Sequence, residues 1–550
     1  MTSAARRPQS SANLGGEQAE ADPLLEFVFY QSGDYETIES RLDPRCFIIG
    51  RTGSGKSAAF QHLEETHGKK VIRITPEDLS LPYIVDLRVI RYLDSLDVNL
   101  DLLYTALWKH VLLVEVIRRR YNVDSPVAKQ NFLELIRDRI KRDPAKKAAL
   151  EYLDEFGSSF WCETDERVRE ITETFEERID AEARAQFGLL HVGVSAGSDS
   201  GTIVTTGSRA EQADRFQRIV NQTQLARLNK MLNVLDEDIL DTPHQSLYVI
   251  VDDLDREWVD ERVANDLIRC LFKTVLDLKR VRHLKVLVAL RTNIFHELDF
   301  GARGGQEEKF RSLVLQMRWT KRDLEELIDE RVRYFSMRNG SGLTAVDDLL
   351  PHTNNTRGCA FDYILDRTLM RPRDTISFIN ECLVLHSGQG RLTWNDITRS
   401  EKSYSEKRLL ALRDEWKPTY PDIQKVLSLF RDAKVPLSKD ELGLYLDNAM
   451  LLLSEPSFLG IRWMTTLSEP MWSSTSDSSW TDLYHPLVKM LFEIGFIGMI
   501  QHSDGPVTYS YDNPDFANDP SNVDNTKGFL VHQAYHMALN IKAAYVHGDL

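Results

Sequence analysis

A short apolar run, Cys46-Phe47-Ile48-Ile49, passes directly into Gly50-Arg51-Thr52-Gly53-Ser54-Gly55-Lys56-Ser57, and a helical stretch from Ala58 to about Thr66 follows. Few local patterns constrain a fold more. An uninterrupted apolar run reads as a strand buried on both faces. Glycines at 50, 53 and 55 let the backbone turn its N–H groups inward without Cβ clashes. The helix that begins at Ala58 aims its positive end at the same point, so the segment from Gly50 to Ala58 predicts a cradle for an anion. The spacing Gly-x-x-x-x-Gly-Lys-Ser makes that anion a nucleotide phosphate, with Lys56 on the β/γ-phosphates and the Ser57 hydroxyl on Mg²⁺.

Such a loop needs neighbouring parallel strands, and the chain supplies them. Lys70-Val-Ile-Arg-Ile-Thr75, Leu247-Tyr-Val-Ile-Val251, Lys285-Val-Leu-Val-Ala-Leu290 and Leu313-Val-Leu-Gln-Met-Arg318 read as further strands, and a helix is expected from Val259 to Lys279. Strands alternating with helices predict a parallel α/β sheet whose working residues gather at the carboxyl ends of the strands.

Between the second and third strands lies a long stretch of helical pattern, read as an insertion over 98–240. Residues 1–21 are Ser/Ala/Gly/Gln-rich and read as a disordered tail. The remaining divisions are 22–97 and 241–319 for the two parts of the sheet domain, 320–402 for a helical lid, and 403–550 for a C-terminal domain. In that last part, helical patterns at Asp422–Phe430, Lys439–Met450 and His485–Ile494 precede a hairpin pattern at 495–511. Helices followed by a two-stranded ribbon predict a winged-helix-like region.

Composition matters here for what it argues against. A net charge of −16 disfavours affinity of the whole molecule for nucleic acid or an anionic membrane. The five cysteines, at 46, 162, 270, 359 and 382, are scattered without a Cys-x-x-Cys pair, so neither a disulfide framework nor a zinc site is expected. The most apolar helical run, Val111–Ile117, is too short to cross a bilayer and ends in Arg118-Arg119-Arg120. A cytoplasmic protein is expected.

The chemistry-bearing positions follow from the strand ends. Asp252 ends the third strand, where one carboxylate beside Ser57 suffices for Mg²⁺, a hard ion that keeps several waters. Asp253, the next residue, is placed to polarise an attacking water. Asp255 supports either, or caps the helix that follows. Arg291, Thr292 and Asn293 follow the fourth strand; Asn293 there either senses a γ-phosphate or serves as ordinary strand-end capping, and the sequence leaves both readings open. Arg371-Pro372-Arg373-Asp374 opens a helix of the expected lid, with Arg373 preferred over Arg371 as a γ-phosphate sensor because it lies inside the helix. The alternative is a surface ion pair with Asp374 or Asp366. Arg303 or Arg311, just before the fifth strand, is a candidate arginine finger for a neighbouring copy.

Taken together, Gly50–Ser57, Val-Ile-Val-Asp-Asp-Leu-Asp-Arg at 249–256, Arg-Trp-Thr-Lys-Arg-Asp-Leu at 318–324 and Arg-Pro-Arg-Asp at 371–374 resemble bacterial phosphate-loop ATPases of the STAND/KAP and AAA+-related group. Asp-Asp-Leu-Asp-Arg is especially similar to the KAP branch. The stretches 493–498, 509–511 and 531–536 are similar to members with a trailing winged helix. Two departures stand out. KAP members often carry membrane segments within the ATPase domain, whereas this chain has none, and Asp253 stands where typical AAA+ motors have Glu. The resemblance implies ATP and Mg²⁺ as cofactors, homo-oligomerisation and an effector or regulated partner protein. It further implies a switch role in bacterial conflict or antiphage defence. The alternative is an ATP-dependent DNA-binding or loader-type ATPase using the winged helix. The segment 422–550 is not rich in Lys or Arg, which weighs against DNA.

Overall fold

The computed structural model describes residues 13–75, 98–122, 126–156, 214, 217, 225–254, 261–298, 307–386, 390–473, 478–502 and 505–543. Asp255, Arg256 and Arg303 lie outside them. The chain divides into two compact units. One comprises Gln31–Arg51 and Lys56–Met317; the other comprises Met1–Tyr30, Thr52–Gly55 and Arg318–Leu550.

The first unit is built on a parallel five-stranded sheet. Its strands are β1 (Phe47–Ile49), β2 (Val71–Ile74), β3 (Leu247–Val251), β4 (Leu284–Leu290) and β5 (Val314–Gln316). They lie in the order β2-β3-β4-β1-β5. Every residue of β1, β3 and β4 is buried, as expected of strands covered on both faces. Ile49 is in register with Leu290 of β4 and Gln316 of β5, while Val251 is in register with Val288 of β4 and Ile74 of β2. The strand that runs into Gly50–Ser57 and the strand that ends in Asp252 are therefore separated by one strand, β4, with all carboxyl ends on one side.

Helix Asp101–Tyr121 lies in the stretch set apart in the sequence as an insertion, yet it shares the sheet's core. Trp108 is buried and donates its Nε1–H to the Leu267 carbonyl at 2.9 Å, on helix Glu261–Leu278. Asp101 accepts both Nη groups of Arg269, at 2.9 and 2.7 Å, and the Lys273 ammonium at 2.7 Å. Phe47 of β1 stacks on Phe272 at 3.7 Å between ring centres. These two helices thus form one layer against the sheet.

The second unit contains helices Lys321–Asn339, Pro372–Leu385 and Trp394–Trp416. The first and third begin with capping boxes, Thr320 with Asp323 and Thr393 with Asp396. Trp394–Trp416 runs without a break across position 402, where the sequence reading placed a boundary. Phe378 and Tyr404 stack between the last two helices at 4.3 Å. The disordered tail predicted for 1–21 needs correction from Asn13 onward. Leu14 is fully buried, its N–H bonds Asn380 Oδ1 at 2.8 Å, and its carbonyl accepts Arg331 Nη1 at 2.6 Å. Arg331 also pairs with Asp22 at 2.8 Å, both groups buried. The composition reads as disorder, but one leucine and one aspartate anchor the strap.

Further along this unit, helices Lys439–Leu451, Arg462–Trp472 and Trp480–Glu493 precede an antiparallel sheet of β7 (Ile497–Ile500), β8 (Val507–Thr508) and β9 (Gly528–Val531), in the order β8-β7-β9. The expected hairpin is β7–β8; β9 was not anticipated. Short β6 (Lys434–Val435) and β10 (Lys542–Ala543) pair in parallel.

Candidate functional site

In the sheet unit, Gly50 leaves β1 with its N–H bonded to the Leu290 carbonyl at 3.2 Å. Lys56 opens the helix Lys56–His67 with Ser57 in its first turn and Ala58 next. The Lys56 ammonium donates to the Gly50 carbonyl at 2.6 Å and the Arg51 carbonyl at 3.2 Å. Across β4, Asp252 is 5% exposed at the end of β3. Its Oδ1 accepts the Asp253 N–H at 2.9 Å, and its Oδ2 accepts Arg73 Nη2 at 2.7 Å. Asp253 has φ +59°, a left-handed backbone that Asp and Asn tolerate better than longer side chains do. Arg291 is the N-cap of the short helix Thr292–Glu297, and Asn293 lies in its first turn, half-buried. Strand order places Asn293 at the carboxyl end of β4, between the β1 and β3 ends.

The other unit holds the middle of the loop sequence. Gly53 has φ +80°, and a Cβ there would come within 2.8 Å of the Arg373 side chain. Arg371 Nη1 donates to the Thr52 carbonyl at 2.6 Å and to Glu415 Oε2 at 3.2 Å. Glu415 Oε1 in turn accepts the Thr52 N–H at 3.3 Å. The Ser54 carbonyl accepts Trp319 Nε1–H at 2.8 Å. Gly55 shares the left-handed backbone, with φ +96°. Both Arg371 and Arg373 of the predicted sensor pair therefore border the loop residues. Arg371, ranked second in the sequence, makes the polar contacts. Arg373 lies over Gly53 and directs its Nε to the Glu17 carbonyl at 3.0 Å.

Arg371 is no surface ion pair. Asp374, fully buried, accepts Arg371 Nε at 3.0 Å, Arg408 Nη1 at 2.7 Å and the Leu369 N–H at 3.1 Å. Burial alone would raise the Asp374 pKa; the two guanidinium groups overcome it and hold the carboxyl well below the ordinary range. Glu17 closes the cluster, accepting Arg408 Nη2 at 3.1 Å and the Ser377 hydroxyl at 2.8 Å.

In each unit taken by itself, the loop sequence offers polar groups of the kind a phosphate engages. Thr52 Oγ1 and Ser54 Oγ are buried without a hydrogen-bond partner among the described residues. In the sheet unit, Lys56 donates to two backbone carbonyls. Asp252 with Ser57 is a donor set suited to Mg²⁺, which needs few protein oxygens. Among the described residues no cluster of three or more His, Cys, Asp or Glu offers a different metal centre. Arg311 is exposed at the end of helix Glu307–Arg311, just before β5.

Three charged residues escaped the sequence reading. Arg73 interrupts an otherwise apolar strand, a signal visible in Val-Ile-Arg-Ile. Glu64 faces it from the helix after the loop, with its Oε2 3.6 Å from Arg73 Nη1. Glu415 carried no local signal at all, being 363 positions from Thr52.

Comparison with known proteins adds two findings. Residues 322–413 match the FunZ-associated C-terminal helical domain. That span covers helices Lys321–Asn339, Pro372–Leu385 and nearly all of Trp394–Trp416. Almost the whole chain, 96%, aligns at 23% identity with 67% of a protein of Escherichia coli (strain K12) named "Putative transposon gamma-delta 80.3 kDa protein". No solved structure matches. Among the described residues, no helix is long and apolar enough to cross a membrane.

Proposed function

We propose that this chain is an ATP-binding and ATP-hydrolysing switch that assembles or controls a partner protein. The observation that carries the reading is the layout of the sheet unit. Lys56 and Ser57 open the helix after β1, and Asp252 and Asp253 end β3. One intervening strand ends in Arg291 to Asn293. Lys56 would exchange its two backbone carbonyls for phosphate oxygens, Ser57 and Asp252 would hold Mg²⁺, and Asp253 would take a proton from the attacking water. The bound Mg²⁺ would supply neutralising charge on the phosphates. In the other unit, the Arg371–Glu415 pair around Thr52 and the Arg373 contact with Gly53 support Arg371-Pro372-Arg373 as the segment that responds to nucleotide. Action as a homo-oligomer, with Arg311 or Arg303 reaching a neighbouring copy, belongs to the same proposal. Its setting would be a bacterial conflict or mobile-element system. The family resemblance supports this setting, and so does the relative's name.

The test is nucleotide binding and steady-state phosphate release by purified wild-type, Lys56→Ala and Asp253→Asn proteins. Lys56→Ala should abolish binding, and Asp253→Asn should keep binding while slowing release. Unchanged hydrolysis in both variants refutes the assignment.

A second reading, ATP-dependent DNA binding, is favoured by one feature, the run of helices ahead of the β7–β8 ribbon. Charge opposes it: residues 422–550 carry 8 Lys/Arg against 16 Asp/Glu. Fluorescence anisotropy with duplex DNA at low salt decides the matter, and absence of binding there removes this alternative.

A further inference from the structure

Arg73 sits in the middle of β2, between Ile72 and Ile74 and in register with Ile250 of β3. A guanidinium on an otherwise buried strand must be paired, and this one has two carboxylates. Its Nη2 lies 2.7 Å from Asp252 Oδ2, and its Nη1 lies 3.6 Å from Glu64 Oε2. Glu64 stands on the helix Lys56–His67, seven residues after Ser57. Seven residues fall about 20° short of two full helical turns, so Ser57 and Glu64 share a face. The Asp252 side chain is 8% exposed, while those of Arg73 and Glu64 keep about a third of their surface. One oxygen of the carboxylate assigned to Mg²⁺ is thus occupied by a cation that the protein itself supplies.

We propose that Glu64, Arg73 and Asp252 form a charge triad that sets the affinity of the nucleotide site for its divalent cation, with Arg73 as a built-in competitor for Asp252 and Glu64 as the anion that draws Arg73 away. This rests on the nucleotide reading of the preceding section. The triad carries a net charge of minus one. When a divalent cation approaches Asp252, repulsion weakens the Arg73–Asp252 pair. Only a small rotation is then needed to tighten the Arg73–Glu64 pair from 3.6 Å to hydrogen-bonding distance. The arrangement would keep the site from holding a cation tightly without nucleotide, because in that state Arg73 already neutralises Asp252. Arg73 and Glu64 act through Asp252 and are positioning residues.

The charges predict effects of opposite sign. Binding of a fluorescent ATP analogue to the full-length protein is followed while free Mg²⁺ is raised from an EDTA-buffered start. Arg73→Met leaves the site with two uncompensated negative charges, so the half-saturating Mg²⁺ concentration should fall about three- to tenfold. Glu64→Gln leaves Arg73 wholly on Asp252, so the same concentration should rise by a similar factor. Arg73→Lys keeps the charge and should stay near the wild-type curve. Shifts of both Arg73→Met and Glu64→Gln in one direction, or no shift in either, overturn the triad. So does an Arg73→Lys curve that follows Arg73→Met. A wild-type protein that binds no nucleotide at any Mg²⁺ concentration overturns the nucleotide reading itself and this inference with it. Circular dichroism of each variant identifies any that fails to fold, and the remaining variants still carry the sign test.

Discussion

Arg371 and Thr52 are 319 positions apart, yet the guanidinium Nη1 lies 2.6 Å from the Thr52 carbonyl oxygen. Both backbone polar groups of Thr52 are engaged within that unit, the carbonyl by Arg371 and the N–H by Glu415. The same arginine holds Asp374, which has no exposed surface. Replacing Arg371 by Ala strands Asp374 and Glu415 without it, and removing one member of a buried ionic cluster costs about 3–5 kcal/mol. Urea unfolding should show a loss of that size. Arg371→Lys should recover only part, because an ammonium cannot reproduce the fork.

Acid should act on the same cluster. The Asp374 carboxyl is held below its unfolded-state pKa, so its contribution to stability is fully present above about pH 4 and disappears as the pH falls through the folded-state value. Unfolding midpoints of wild type and Asp374→Asn, measured from pH 6 downward, should converge.

Gly53 and Arg373 are coupled by contact. Gly53→Ala places a Cβ 2.8 Å from Arg373 Cβ at a backbone angle of +80°. The left-handed angle alone costs about 1 kcal/mol for Ala, and the clash adds to it. In a double-mutant cycle scored by thermal unfolding, Gly53→Ala should cost less in an Arg373→Ala background, with the angular part remaining.

Lys285 offers an alkaline test. It is buried near the amino end of β4 and donates to the carbonyls of Thr37 and Ser40. Burial pushes its pKa down from 10.5 to about 8, with neighbouring Asp43 opposing that shift. Between those two values the unfolded chain binds more protons than the folded one, so this residue's contribution to stability rises with pH. Wild type should therefore gain on Lys285→Met by up to about 3 kcal/mol between pH 7.5 and 10.5. A difference that stays flat with pH would contradict this.

Residues 13–22 form a strap that stability measurements can weigh. Without residues 1–22, Arg331 loses Asp22 and the fully buried Leu14 is gone. The truncated protein should melt several degrees lower, as expected for about 3 kcal/mol lost from a buried pair.

The parts legible in the sequence share a physical cause. β1 and β3 announced themselves because strands buried on both faces are apolar throughout, β4 because only Lys285 near its amino end breaks an otherwise apolar run, and the loop announced itself because its glycines and lysine are fixed by spacing. What was illegible depends on distance along the chain. Nothing near Thr52 points to Glu415, and Leu14 looks like any residue of a Ser/Ala/Gly-rich tail until Asn380 and Arg331 receive it. Helix Asp101–Tyr121 reads as part of an insertion because the sequence shows no core-strand pattern for more than a hundred residues after it, although Trp108 and Asp101 bind it to Glu261–Leu278. Arg73 is equally legible in Val-Ile-Arg-Ile: a charge inside a buried strand needs a partner.

The left-handed backbone at Asp253 bears on how any catalytic test should be built. At φ +59° a side chain must be short and able to bond its own backbone, which favours Asp, Asn or Gly over Glu or Ala. An alanine there removes the carboxylate and strains the turn together, so a loss of hydrolysis in that variant would have two explanations. Asparagine removes only the charge. Asp253→Asn is thus the clean control, and installing a glutamate at this position should bend the turn before it improves any chemistry.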